Sequence, residues 1–320
     1  MKSKNSPLVG IHHVGIMSAQ ADATIEFYKS AAGFNVLDIE PLLALPSLSN
    51  GAGGGGAFMR GPNAYLRVLN NPLCVAPRTS PAARRPVSLA GVTHVCLQST
   101  RMDTMCEQFE SAGATFHAQP VDLGTGFLYA YVRDGDANVI ELEGVAPVWD
   151  DPTAWIAHVS FTSTNVDRLS DFYSTILDQT VIKSKPVGPS QKIDAISGLK
   201  GCMDSSGQHA SRSNPTFQPA STAHTRSPDE SGYAYVCFET SNLGEAVLKL
   251  LDAGATQSSA QADLSGPGHY FCSDPDGNWL LLLSFEFADQ KLSISELPDP
   301  TIVARMAAQR EILNQKALSK

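Results

Sequence analysis

The chain repeats its own pattern, and this internal repeat limits the fold more strongly than any single motif does. An offset of 145 residues aligns His13 with His158 and brings a Phe-Tyr pair in each segment into register without a gap. An offset of 141 residues aligns His94 with Tyr235, together with an Ala-Gly-Ala-Thr segment found in both copies. After a one-residue deletion, DGDANVIEL aligns with DPDGNWLLL. The 320 residues therefore form an array A-B-A′-B′ of four related units.

Each unit has the same order of predicted secondary structure. An alternating strand of about six residues precedes a helix of about a dozen residues, and two or three strands follow. The helix of unit A carries Phe27 and Tyr28 and ends at Gly33, a residue suited to a left-handed C-terminal cap. The helix of unit B ends at Gly113 in the same way. The pattern predicts an α+β fold made of four strand–helix–strand units.

Composition and charge narrow the classes of partner. Hydrophobic residues make up 42% of the chain and charged residues 17%, which indicates a well-packed globular protein. The net charge is -9 and no basic cluster stands out, so we expect no nucleic-acid or membrane partner. The first ten residues lack an apolar signal core, and no segment is long enough to span a bilayer. With six cysteines and no CxxC spacing, the chain is predicted to be cytoplasmic with reduced thiols.

Two histidines and one glutamate form the main candidate for a metal site. His13 and His94 lie in two short strands that read almost alike, IHHVGI and VTHVCL, and Glu141 lies in a third, NVIELEG. Two imidazoles and one carboxylate are a ligand set for a divalent metal. The pleat of each strand could aim these side chains into one cavity, whereas His12 is predicted to point to the opposite face. We therefore expect one divalent ion, which could be Zn, Mn, Fe, Co or Ni.

Three stretches do not fit the repeating unit. Residues 46–56 are Gly- and Ser-rich and are predicted to be a flexible insertion. Residues 203–232 are poor in large apolar side chains and are predicted to be a long loop or a partly disordered segment. Residues 296–320 have good helix propensity and a loose apolar stripe, which predicts a helical tail. That tail could dock on a domain or on a second subunit in a homodimer.

The strand histidines, the Phe-Tyr helices and the DPDGN hairpin together resemble the vicinal oxygen chelate superfamily. Its members include glyoxalase I, methylmalonyl-CoA epimerase, bleomycin-resistance proteins, fosfomycin-modifying enzymes and extradiol dioxygenases. The resemblance implies four βαβββ modules that pair into two domains, 8–147 and 153–288, followed by the helical tail. In this family two modules close around a metal, and ligands come from their first and last strands. The resemblance thus implies a metal site in 8–147.

The second half departs from the family pattern at the metal positions. His158 matches a ligand position, but Tyr235 and Leu281 stand where the next histidine and the glutamate are expected. Domain 153–288 is therefore predicted to keep the scaffold without the metal.

Four further side chains near the predicted site are candidates for function. Arg67 stands where many family members have Glu or Gln, and it could bind a substrate anion or form a salt bridge with Glu141 or Glu143. Tyr65 shares the parity of Arg67 and is a candidate catalytic residue. Tyr131 could donate a hydrogen bond to a substrate oxygen or pack as a strand aromatic. Glu143 is predicted to be solvent-exposed at the strand end.

Three functions are compatible with these residues. The first is a metal-dependent isomerase, epimerase or lyase, glyoxalase-like, acting on a small substrate with vicinal oxygens by non-redox proton transfer, with Glu141 as the base. The second is an Fe(II) extradiol-type dioxygenase, although residues 120–130 lack the expected acid–base histidine. The third is a non-catalytic protein that binds or sequesters a small molecule.

Overall fold

The structure is a computed structural model of the chain. It describes residues 6–37, 56–72, 74, 89–123, 126–146, 149–178, 181–183, 208–210, 214–219, 230–257, 268–285, 292–297 and 299–318. Nearly all of the predicted insertion, residues 46–55, lies outside the described residues.

Four modules follow one another along the chain, each with one long strand, one helix and a set of further strands. Module A comprises β1 (Leu8–Ser18), α1 (Ala21–Ala32), β2 (Asn35–Leu37), β3 (Gly56–Arg60) and β4 (Tyr65–Asn70). Module B comprises β5 (Gly91–Ser99), α2 (Met102–Ser111), β6 (Thr115–Phe116), β7 (Val121–Asp122), β8 (Leu128–Arg133) and β9 (Val139–Gly144). Module A′ comprises β10 (Trp155–Ser163), α3 (Val166–Leu177), β11 (Val181–Lys183), β12 (Gln208–Ala210) and β13 (Asn214–Pro219). Module B′ comprises β14 (Gly232–Thr240), α4 (Leu243–Asp252), β15 (Thr256–Gln257), β16 (Gly268–Ser273) and β17 (Trp279–Ser284). The predicted α+β modules are confirmed.

The modules pair across the two halves of the chain. An eight-stranded sheet has the order β15-β16-β17-β14-β1-β4-β3-β2, so it joins module A to module B′. A nine-stranded sheet has the order β11-β12-β13-β10-β5-β9-β8-β6, with β7 also paired to β8, and joins module B to module A′. The central contacts are antiparallel, between β1 and β14 and between β5 and β10. This pairing differs from the prediction that 8–147 and 153–288 each close into one domain.

The helices lie between the two sheets and hold each half of the chain together. One continuous apolar core contains residues from α1, α2, α3 and α4 and from both sheets. Tyr28 of α1 donates to Asp134 in the turn between β8 and β9, with an O···O distance of 3.3 Å. Tyr173 of α3 makes the equivalent bond to Asp274, at 3.0 Å. Helix-to-turn bonds therefore connect A with B and A′ with B′, while the sheets connect A with B′ and B with A′. We call the sheet surface turned away from the helices the site face.

Local sequence explains where the first helix ends and how β1 bends. Gly33 follows α1 in the left-handed conformation, with φ of 69°, as the sequence predicts. In β1 the pairing with β14 is irregular between Ile11 and His13. A β-bulge changes the direction of neighbouring side chains. His12 therefore contacts His13, with 2.8 Å between their Nδ1 atoms, which corrects the prediction that they point to opposite faces.

In the stretch predicted to be a loop, 203–232, the described residues include two strands, β12 and β13, while 203–207, 211–213 and 220–229 lie outside the described residues. The sequences of these strands, QHA and NPTFQP, are not typical of strands. Sequence alone misses them because β-propensity depends strongly on tertiary context. The last strand of module A′ is thus Asn214–Pro219, which pairs in parallel with β10.

The C-terminal segment contacts both sheets. A 3-10 turn at Ile294–Glu296 precedes helix α5 (Pro300–Leu318). Leu292 and Leu297 pack with Phe58 and Tyr65 on the site face of the eight-stranded sheet. Ile302 of α5 packs with side chains of the nine-stranded sheet. None of the helices in the described part of the chain has the length and apolar character needed to cross a membrane.

Candidate metal centre

Three side chains from three adjacent strands converge on the site face of the nine-stranded sheet. Glu141 Oε2 lies 3.0 Å from His158 Nε2 and 3.3 Å from His94 Nε2. Ligand atoms of all three residues lie within 4.8 Å of one another. His94 and Glu141 are buried, and His158 is half-buried. The cluster therefore brings two imidazoles and one carboxylate to a single point, which we call the His–Glu centre.

The strand register produces this convergence. His94 lies in the central strand β5, Glu141 in β9 on one side of it, and His158 in β10 on the other. Each of the three site residues has a chain neighbour that alternation directs into the helix-side core: Val95, Ile140 and Val159. The histidines and the carboxylate consequently share the opposite face.

Charge and burial act together at the centre. Burial of the Glu141 carboxyl favours a higher pKa, but the contacts and charges of His158 and His94 outweigh it and hold the pKa well below its usual range. Burial lowers the pKa of His94, and its contacts with Glu141 oppose that shift. An ionised carboxylate beside imidazole rings is the protonation state that a divalent cation requires of these ligands.

One buried atom of the centre lacks a hydrogen bond. His94 Nε2 lies 3.3 Å from Glu141 Oε2, but this contact does not have the geometry of a hydrogen bond. No other partner of this nitrogen is present among the described residues. A buried nitrogen without a partner is costly unless another ligand satisfies it. The residues present therefore fit a divalent metal, which would be bound by His94, Glu141 and His158.

Neighbouring side chains hold the carboxylates in place. Tyr131 donates to Glu141 Oε1 at 2.9 Å, and its ring contacts His94 edge-on. Glu143 accepts a hydrogen bond from Gln98 and is buried, which corrects the prediction that it is exposed. Burial and the nearby Glu141 raise the pKa of Glu143. Trp155 Nε1 in turn donates to Gln98 Oε1 at 3.2 Å, so a connected polar network surrounds the centre.

The predicted set of His13, His94 and Glu141 does not assemble. His13 lies in the eight-stranded sheet, whereas His94 and Glu141 lie in the nine-stranded one. The reason is that β5 pairs with β10 and not with β1, so His158 occupies the place expected for His13. The offset of 145 residues aligns these two histidines, and the assumption that 8–147 closes on itself selects the wrong one.

A second cluster surrounds His13 and forms a directed chain of hydrogen bonds. His12 Nε2 lies 3.0 Å from the Leu292 carbonyl, which only accepts, so this nitrogen carries the proton. In the neutral ring His12 Nδ1 then accepts from His13 Nδ1, and His13 Nε2 accepts from the Tyr235 hydroxyl at 2.9 Å. Arg67 Nη1, which only donates, completes the chain to Tyr235 Oη at 3.3 Å.

Burial keeps both rings of this second cluster neutral. Burial lowers the pKa of His12 to about 4, and the hydrogen bond to Leu292 opposes the shift. Burial, His12 and Arg67 lower the pKa of His13 well below its usual range. Cys237 Sγ lies within 4.8 Å of the histidine nitrogens, so this cluster also brings together three atoms of metal-ligand type. Because all four ring nitrogens already have partners, the His–Glu centre fits a metal better.

Two predicted functional residues belong to this second cluster. Tyr65 is buried and stacks on His12, with ring centroids 4.7 Å apart. Arg67 is buried and lies over the Phe58 ring, 5.7 Å from its centroid. Neither is on the sheet that carries Glu141, so the alternative of a salt bridge from Arg67 to Glu141 or Glu143 is not realised. Of the predicted site residues, His94, Tyr131 and Glu141 come together.

Comparison with protein families identifies the scaffold. A sequence profile described as "Glyoxalase/Bleomycin resistance protein/Dioxygenase superfamily" matches residues 10–142 and again residues 155–282. The chain belongs to this superfamily. Its fold is therefore a tandem glyoxalase-like fold, as the repeat and the resemblance predict. A search of curated protein sequences finds no significant match.

Solved structures of the superfamily share the architecture at low sequence identity. Glyoxalase I from Zea mays is 15% identical, with a TM-score of 0.59, and the alignment covers 90% of this chain and 95% of that one. A mutant of the maize enzyme is also 15% identical, with a TM-score of 0.59 and coverage of 86% and 93%. A "putative dioxygenase" from Bacillus subtilis is 11% identical, with a TM-score of 0.55 and coverage of 88% and 86%. At these identities the likeness establishes the fold alone.

Proposed function

We propose that this superfamily member is a metal-dependent enzyme that acts on a small substrate with two neighbouring oxygens. The reaction is a non-redox proton transfer of the isomerase, epimerase or lyase type, at the His–Glu centre. The observation that carries the proposal is the convergence of His94, Glu141 and His158, with His94 Nε2 buried and without a hydrogen bond from any described residue.

His94, Glu141 and His158 would hold the divalent ion. When bound, such an ion acts as a Lewis acid that stabilises negative charge on a substrate oxygen. With three protein ligands, the ion would still be open to a substrate oxygen.

Side chains of the protein would carry out the proton transfer itself. Glu141 would act as the base after it loosens from His158 and His94, whose contacts hold its carboxyl pKa low. It would then take the proton from the substrate carbon and return it to a neighbouring carbon. Its Oε1 is held by the Tyr131 hydroxyl, so Tyr131 orients the carboxylate for that transfer. The burial of His94, Tyr131 and Glu141 limits the access of water to the reacting atoms.

An Fe(II) dioxygenase is the second candidate, because two histidines and one carboxylate are also the ligand set of non-haem iron oxygenases. Against it, His117, the histidine nearest to Tyr131 in the upstream sequence, accepts a hydrogen bond from Arg133. The His117 ring is stacked with the Tyr131 ring, with 6.5 Å between their centroids. Its Nε2 atom already accepts the hydrogen bond from Arg133 and is not free to act as an acid or base there. A non-catalytic binding protein remains the third candidate. The cytoplasmic location and the homodimer stay predictions.

Metal analysis of the purified full chain tests the proposal. We expect about one divalent ion per chain in the parent and in His13→Ala, and a loss of at least about tenfold in metal affinity in His158→Ala and Glu141→Ala. Retention of metal by His158→Ala together with loss from His13→Ala would contradict the assignment.

Two activity assays then separate the candidate reactions. Deuterium incorporation from D2O into 2-hydroxyketones or 2-oxoaldehydes, abolished in Glu141→Gln, supports proton transfer. Oxygen uptake with catechol by the iron-loaded protein supports the dioxygenase. Metal binding without either activity across these compounds favours the binding protein.

A further inference from the structure

Ser160 lies beside the His–Glu centre and is not part of the predicted site. It follows His158 by two residues in β10, and the residues on either side of it, Val159 and Phe161, belong to the helix-side core. Alternation along the strand therefore directs Ser160 to the site face, as it does His158. Ser160 is also the direct cross-strand partner of His94 in β5. Its side chain thus lies on the same face of the sheet as both histidines of the centre.

The hydroxyl of Ser160 is buried and has no hydrogen-bond partner among the described residues. The residue is 0% exposed, and its Oγ is one of the few buried side-chain atoms in the described chain that lack a partner. Its own carbonyl is engaged, since it accepts from the Thr93 hydroxyl at 3.2 Å. A buried hydroxyl without a partner costs stability, and a bound ligand, ion or water would remove that cost.

The second cluster provides an internal comparison. The position equivalent to Ser160 is Gly15, which pairs with Tyr235 as Ser160 pairs with His94. A Cβ atom on Gly15 would lie 2.2 Å from Tyr235 Cε1, so the tyrosine ring fills the space there. Where Tyr235 and Leu281 stand in place of the histidine and the glutamate, a glycine stands in place of the serine. Beside the complete ligand set stands a hydroxyl.

We infer that Ser160 Oγ binds an oxygen of the substrate held at the His–Glu centre. The inference rests on the proposed function and adds a substrate-binding residue to it. The hydroxyl donates a hydrogen bond to a substrate oxygen that carries negative charge. Such a hydrogen bond is stronger than one between neutral groups. Ser160 therefore selects substrates that present an oxygen on the β10 side of the centre.

The test uses the full chain loaded with Co²⁺ and acetohydroxamate, a small probe with two neighbouring oxygens. Variants Ser160→Ala and Ser160→Gly are compared with the parent. Ser170→Ala is the matched control, because it removes a buried hydroxyl that donates to the Asp167 carbonyl on the helix side, at 3.0 Å. Three quantities are measured: metal content, the dissociation constant of the probe by titration calorimetry, and the melting temperature without metal.

We expect Ser160→Ala to keep its metal, to bind the probe about tenfold more weakly, and to melt about 2 °C higher than the parent. The rise in melting temperature distinguishes a ligand-binding hydroxyl from a structural one, because Ser170→Ala should melt lower and bind the probe normally. Probe affinity within twofold of the parent in Ser160→Ala, with metal bound, overturns the role of Ser160 alone. A parent chain that takes up no metal overturns the proposed function and this inference together.

Discussion

Tyr131 shows how one residue beyond the ligands sets the properties of the centre. Its hydroxyl donates to Glu141 Oε1 and leaves Oε2 facing the two histidines. A carboxylate that is free to rotate would lose that orientation. From the sequence, Tyr131 could donate a hydrogen bond to a substrate oxygen or pack as a strand aromatic; in the structure its hydroxyl donates to Glu141.

We expect Tyr131→Phe to retain the fold but to bind the metal about 10- to 100-fold more weakly, as for other residues that orient a ligand. Competitive titration with a chromophoric chelator measures the change. Phe271→Tyr is a suitable control, because Phe271 occupies the equivalent strand position in the eight-stranded sheet, which does not carry the His–Glu centre. Unchanged metal affinity in Tyr131→Phe would show that Glu141 needs no such support.

At the level of secondary structure elements, the C-terminal segment and β1 meet at a buried histidine. His12 donates to the Leu292 carbonyl, and its pKa is lowered to about 4 by burial. A histidine whose pKa is lower in the folded state favours folding when it is neutral. Its contribution to stability is therefore complete above the unfolded pKa of about 6.5 and is lost as the pH falls towards 4.

We expect the free energy of unfolding to fall between pH 7.5 and pH 5, with about 2 kcal/mol of the loss due to His12. His12→Gln, which can still donate to the Leu292 carbonyl, should show a smaller fall by about that amount. Urea denaturation at both pH values measures the difference. Parallel curves for the parent and the variant would mean that His12 is protonated equally in both states.

The helix-to-turn contacts act at the same scale, because each links a helix of one module to a hairpin of the next. Tyr173 donates to Asp274 at 3.0 Å, and Asp274 also accepts from the backbone of Asp276 and Asn278. Removing the hydroxyl leaves a buried carboxylate with one donor fewer.

We expect Tyr173→Phe to lower the free energy of unfolding by about 1.5–3 kcal/mol. Tyr28→Phe should cost less, since its bond to Asp134 is longer, 3.3 Å against 3.0 Å. Chemical denaturation at pH 7.5 gives both values. Equal stability of Tyr173→Phe and the parent would remove this contact from the forces that join A′ to B′.

At the level of the whole molecule, both sheets require both halves of the chain. Strand β5 of the first half has β10 of the second half as its neighbour, and β1 likewise has β14. Each half taken alone would expose the edges of these long, buried strands. The His–Glu centre is divided in the same way, because His158 comes from the second half.

We expect a fragment of residues 1–150 to bind metal at least about tenfold more weakly than the full chain, although it contains His94 and Glu141. Mixing it with residues 151–320 during refolding should restore binding, and should fail to do so when the second fragment carries His158→Ala. Metal binding by the first fragment alone, at the affinity of the full chain, would show that His13 can complete the site.

The sequence by itself determined the modules and the chemistry that they carry. Hydrophobic alternation, the Phe-Tyr helices and the DPDGN turn are local patterns, so the strand–helix–strand order, the glycine cap and the ligand-type residues could be recognised from them. The tertiary structure alone decided which modules share a sheet. By its alternating pattern, β5 could pair equally well with β1 or with β10. Which of the two strands it pairs with depends on long-range packing of the helices and on backbone pairing. That choice replaced His13 by His158 at the centre, turned His12 towards His13 through a bulge, and left Ser160 beside the ligands.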